Sequence, residues 1–168
     1  TYDSAEIVKI LSKIALANPQ VKIELISNQK TVLETHPNGS LDAKELLEQC
    51  VAGVLGNEFL DSCSYIEARE GECSLRGLIG LPSNIRHNRS GQYLFINRRP
   101  VYSPLIAAAI REGYGTTLPS NRHPIYLLQL TLPGDLVDVN VHPQKREVRL
   151  RQEQDLKRLI CRAVDGAL

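Results

Sequence analysis

Residues 92–114 read QYLFINRRPVYSPLIAAAIREGY, a strand, a turn and a helix in succession. Tyr93, Phe95 and Ile96 supply the aromatic and β-branched side chains that fit a pleated backbone, and Asn97-Arg98-Arg99-Pro100 ends the run with turn residues. Ser103 stands where a side-chain oxygen can accept from a backbone N–H at a helix start. Pro104 follows at the first helical position, where its missing N–H costs nothing, and residues 105–113 supply the helix. Beyond it, residues 125–132 are apolar and extended, so this part of the chain runs strand, helix, strand.

Downstream, Pro133-Gly134-Asp135 is a turn, and residues 125–132 and 137–141 on either side of it predict a hairpin. A short strand over 147–150 and a closing helix from about Gln152 complete that end. Upstream, the extended runs 61–69 and 73–81 flank Glu70-Gly71-Glu72, a second hairpin, and the polar stretch 82–91 predicts a mobile surface loop. The chain opens with the capping-box spacing of Asp3 and Glu6, followed by Ile7, Ile10, Leu11 and Ile14 at helical intervals up to Asn18-Pro19. Val21, Ile23 and Leu25 alternate with Lys22 and Glu24, and after Asn28-Gln29-Lys30 the extended pattern resumes over 31–35, a further hairpin. Ser40 or Asp42 can then cap a helix through Leu46, Leu47, Val51 and Val54 that closes at Gly56.

Antiparallel pairs interleaved with a few helices predict an α+β two-layer sandwich, a mostly antiparallel sheet with helices on one face. At 168 residues the chain is expected to form a single domain. It opens on Thr1 and contains no Met, the expectation for a segment of a longer protein. No apolar run approaches the ~18 residues of a membrane span and no basic-then-apolar leader opens the chain, so a cytoplasmic protein without membrane partners is expected. Cys50, Cys63, Cys73 and Cys161 lack a C-x-x-C pair and read as core or free thiols, with no metal site. Neither G-x-G-x-x-G nor G-x-x-x-x-G-K-S/T is present, so the chain carries no phosphate cradle of a known kind.

The overall charge of +1 conceals sorting along the chain. Residues 1–72 carry 6 Lys/Arg against 12 Asp/Glu, whereas residues 73–134 carry 7 arginines against the single acid Glu112. Arginines without acids suit a polyanion, and Arg86, Arg89, Arg98, Arg99 and Arg122 are the nucleic-acid candidates. A merely solvated basic face is the simpler alternative.

Residues 138–149 read DVNVHPQKREVR. Proline before a lysine leaves Lys145 on a loop at a strand end, where on physical grounds alone an ordinary exposed lysine is expected. The run resembles the D-V-N-V-H-P-x-K-x-E-V-R signature of the MutL family of DNA mismatch repair proteins. QYLFINRRPV, LIAAAIREGY and the upstream LGNEF match the same family. The resemblance implies a split ATPase of the gyrase, chaperone, histidine-kinase and MutL superfamily, of which this chain is the second, transducer domain. It also implies the fold of the second domain of a small-subunit ribosomal protein, with a left-handed β-α-β crossover.

By that resemblance ATP and Mg2+ belong to the ATPase domain upstream, none is bound by this segment alone, and a dimerisation domain lies downstream. Lys145 would reach the γ-phosphate held by the neighbouring domain, with Asn140, His142, Pro143 and Gln144 supporting its loop. The implied partners are that ATPase domain, a second protomer, single- and double-stranded DNA, a mismatch-recognition protein and a downstream nuclease or helicase. Where the family's N-x-R turn has glycine this chain has Arg98, and the basic residue that some relatives carry in the first turn of the following helix is missing. A free-standing nucleic-acid-binding α+β domain without an ATPase role is the alternative; it would give the H-P-x-K run no task.

Overall fold

The computed structural model describes residues 2–138, 149–150 and 152–168, and these form two compact units, Thr1–Asp61 and Ser62–Leu168. Asn140, His142, Pro143, Gln144 and Lys145 lie outside the described residues.

In the first unit, α1 (Tyr2–Ala17) starts one residue before Asp3, so that carboxylate complements the dipole from inside the first turn instead of capping it. Asn18 closes the helix, its side-chain amide donating to the Ile14 carbonyl at 3.0 Å. Strands β1 (Glu24–Ser27) and β2 (Lys30–Glu34) form the expected hairpin about Asn28 and Gln29, whose φ values of 50° and 64° are those of a type I′ turn. Thr35 Oγ1, buried, accepts from Ile23 N at 2.8 Å and donates to Val21 O at 3.2 Å, pinning the strand ends. Helix α2 (Ala43–Leu55) is capped by Asp42, which accepts from Glu45 N at 2.8 Å, and ends at Gly56 with φ 98°. A short α3 (Asn57–Asp61), which periodicity did not predict, follows. The buried Cys50 thiol donates to Ala15 O at 3.3 Å, tying α2 to α1.

The second unit contains β3 (Cys63–Glu70), β4 (Cys73–Gly80), β5 (Ile85–Arg86), β6 (Gln92–Ile96), β7 (Arg99–Pro100), α4 (Pro104–Tyr114), β8 (His123–Pro124), β9 (Tyr126–Thr131), β10 (Val137–Asp138), β11 (Arg149–Leu150) and α5 (Glu153–Ala167). The main sheet has the order β3-β4-β9-β6-β7, antiparallel except for the parallel pair β6 and β9, which α4 connects. This is the predicted α+β class with a mixed, mostly antiparallel sheet.

Helices α4 and α5 share one core with the sheet: Ile106, Ile110 and Tyr114 from α4, Leu156, Ile160 and Val164 from α5, and Leu75, Ile79, Tyr126, Leu128 and Leu130 from the strands. At Gly113 an added Cβ would lie 2.7 Å from Val164 Cβ, so only glycine allows the two helices to approach this closely. Tyr114 Oη donates to the Gly80 carbonyl, linking α4 to the end of β4.

Two expectations are corrected. Strand β9 makes no hairpin with β10: its two edges are taken by β4 and β6, and β10 pairs instead with β11. The polar stretch 82–91 is not a plain loop, because β5 pairs with β8 and Arg86 Nη1 donates to Ser90 Oγ at 3.0 Å.

Candidate nucleic-acid interface

Helix α4 begins as its sequence dictates. Ser103, only 2% exposed, accepts from Ile106 N at 3.2 Å, and Pro104 occupies the first turn. One face of α4 then carries Pro104, Ala107, Ala108 and Arg111, the i, i+3, i+4, i+7 pattern of a single stripe. Arg111 is clamped: its Nη1 donates to Pro119 O at 3.3 Å and its Nη2 to Arg122 O at 2.5 Å. Arg122 in turn places Nη1 against the His87 ring.

The register Arg86↔His123 between β5 and β8 brings the basic residues of the 82–91 stretch beside those of 122–123. Arg89 is exposed, and Arg89 and Arg111 both act on His123, whose pKa is lowered first by burial and then by those two charges. The neutral imidazole, which can both donate and accept, is thereby favoured.

Of the five arginines predicted to meet nucleic acid, the structure gathers Arg86, Arg89 and Arg122 around β5 and β8 and leaves Arg98 and Arg99 at the opposite end of β6. There Asn97 and Arg98 adopt φ 50° and 67°, a type I′ turn in which Arg98 takes the left-handed conformation usual for glycine. Asn97 fixes the turn, accepting from Leu132 N at 2.9 Å and donating to Leu132 O at 3.0 Å. Sequence reasoning missed Arg111 and Tyr102. The helical spacing from Pro104 to Arg111 was the available signal for the first, and nothing in the pattern singled out the second.

A cleft of about 260 Å³ lies between this face of α4 and β8, lined by Arg89, Gln92, Tyr102, Ala107, Arg111, His123 and Tyr126 among others. No carboxylate is among its described lining residues. Glu112, the single acid of residues 73–134, is held by Lys157 at 3.0 Å. Among the described residues no three His, Cys, Asp or Glu converge as a metal set would require, and no helix is long and apolar enough to cross a membrane.

The Rhizobium leguminosarum DNA mismatch repair protein MutL is 39% identical over 166 residues, covering 99% of this chain and 27% of that protein. The MutL of Syntrophomonas wolfei is 36% identical over 91% of this chain and 25% of its own length. The chain thus spans about a quarter of the length of these relatives. Among solved structures, the N-terminal domain of a DNA repair protein superposes with TM-score 0.69 at 21% identity, over 96% of this chain and 52% of that one. The Aquifex aeolicus MutL ATPase domain complexed with ADP gives 0.55 at 17% identity, over 95% and 48%. At those identities the structures share the fold. The family model for the DNA mismatch repair protein, C-terminal domain, matches residues 51–168, most of the chain and all of the second unit, and the chain therefore belongs to the MutL family of DNA mismatch repair proteins.

Proposed function

We propose that the chain is the transducer domain of a MutL-type ATPase, which supplies Lys145 to the γ-phosphate of ATP bound by the neighbouring domain and a basic surface to DNA. The observation that carries the first half is the DVNVHPQKREVR run within the segment matched by the family model. Strands β10 and β11, immediately before and after the segment that holds Lys145, pair with each other. The second half is supported by the gathering of Arg86, Arg89, Arg111 and Arg122 beside a cleft that has no carboxylate among its described lining residues.

By this reading ATP and Mg2+ would be held by the neighbouring domain. When bound, they supply the reacting phosphoryl group and its counter-charge. Lys145 contributes a fixed cation that stabilises charge on the transferred oxygens and links the nucleotide state to movement of this domain. A second protomer, a mismatch-recognition protein and a downstream nuclease or helicase belong to the same proposal, as does a cytoplasmic location.

Steady-state ATP hydrolysis by the full-length protein, native against Lys145→Ala, tests the lysine's role. Turnover should fall by ten-fold or more, toward the ~10²–10³ that removal of one transition-state donor costs, with thermal stability unchanged. Unaltered turnover in a folded variant would leave the free-standing nucleic-acid-binding reading.

A further inference from the structure

We propose that the cleft between α4 and β8 receives one unstacked base of single-stranded nucleic acid, stacked on Tyr102 and flanked by Arg89 and Arg111. The inference rests on the DNA-binding reading above and assigns it a site and a strand form. Tyr102 is 44% exposed, although an aromatic ring has every reason to be buried where the fold permits it. It lines a cleft whose α4 wall is built from Ala107 and Ala108, residues small enough to leave room beside the ring.

The volume of about 260 Å³ is below the ~300–1,000 Å³ of pockets that enclose whole small molecules, which argues for a single ring entering from a longer chain. Duplex bases are stacked and out of reach of such a cleft, whereas a single strand presents them.

The polar groups are already placed. Arg111 is held by the Pro119 and Arg122 carbonyls, so little side-chain freedom remains to be lost on binding. Gln92 donates from Nε2 to Pro124 O at 3.1 Å, and its Oε1 accepts from Tyr126 Oη at 3.4 Å, which fixes the inner wall. His123, whose neutral form is favoured by burial and the two arginine charges, offers one ring N–H donor and one ring nitrogen acceptor. Outside the cleft Arg86 and Arg122 continue the positive surface that the strand's phosphates would follow.

The test is fluorescence anisotropy of the full-length protein with oligothymidylate and with an abasic oligodeoxynucleotide of equal length, which carries the same phosphates without bases. The native protein should prefer oligothymidylate. Tyr102→Ala should lower that affinity about ten-fold and abolish the preference, leaving abasic binding unchanged, while Tyr102→Phe restores both. Arg89→Gln should weaken both ligands and reduce the slope of log affinity against log salt by about 0.7. Salt-dependent binding with a preference that Tyr102→Ala does not alter would overturn the base cleft and leave the DNA-binding reading standing. Absence of binding to either oligomer at low salt would overturn both.

Discussion

The two units differ in how fully they cover the apolar faces of their helices. Both have buried cores, with Leu16, Leu47 and Val51 inaccessible in the first, but among the described residues only the first leaves a helical stripe open. In the second, both helices lie on the sheet and Ile106, Ile110, Leu128 and Ile160 are inaccessible. In the first, Ile7, Ile10 and Ile14 form a stripe along α1 that is 50%, 51% and 42% exposed, and Val21, Ile26 and Val32 are exposed in and beside the hairpin. A two-stranded ribbon offers too little surface to cover a helix, whereas a five-stranded sheet has a face broad enough for two. The difference teaches that helical periodicity identifies a face that has to be covered, without saying that the chain at hand covers it.

Excision is the severest way to break this comparison. Residues 62–168 alone should melt in one cooperative thermal transition, and residues 1–61 alone should show none by circular dichroism, having lost their fold entirely. A cooperative melt of the shorter piece would show that the α1 stripe needs no cover. A pair of truncations sharpens the same contrast: Ile110→Ala should cost ~2–5 kcal/mol in denaturant unfolding, as core truncations do, and Ile10→Ala within ~0.5 kcal/mol.

The smallest effect concerns the two type I′ turns, one in each unit. Replacing Arg98 by Gly removes the left-handed strain of a side chain at φ 67° but adds freedom to the unfolded chain, so a net gain of ~0.5 kcal/mol is expected as a small rise in Tm.

How far the sequence could be read follows the same physics. The start of α4 was legible because Ser103 and Pro104 act on backbone groups one turn away, and for the same reason the cap of α2 was narrowed to Ser40 or Asp42, of which the fold uses Asp42. The partner of β9 was not. Pro133-Gly134-Asp135 does reverse the chain, but which strand lies alongside is decided by β4 and β6, residues far away in sequence. Charge sorting named Arg86, Arg89, Arg98, Arg99 and Arg122 alike, because a count along the chain cannot tell the two ends of β6 apart. Arg111 escaped notice because its carbonyl partners sit in a segment whose course only the folded chain defines.

The position of β9 also matters during synthesis. Strand β4 is complete at Gly80, but the strand that pairs along its free edge begins only at Tyr126. At translation rates of ~5–20 residues per second, roughly 2–9 s pass before that strand emerges. For that interval the nascent hairpin of β3 and β4 presents an open edge beside Leu75 and Ile79, so chaperone capture or aggregation of ribosome-bound chains should be concentrated in this window.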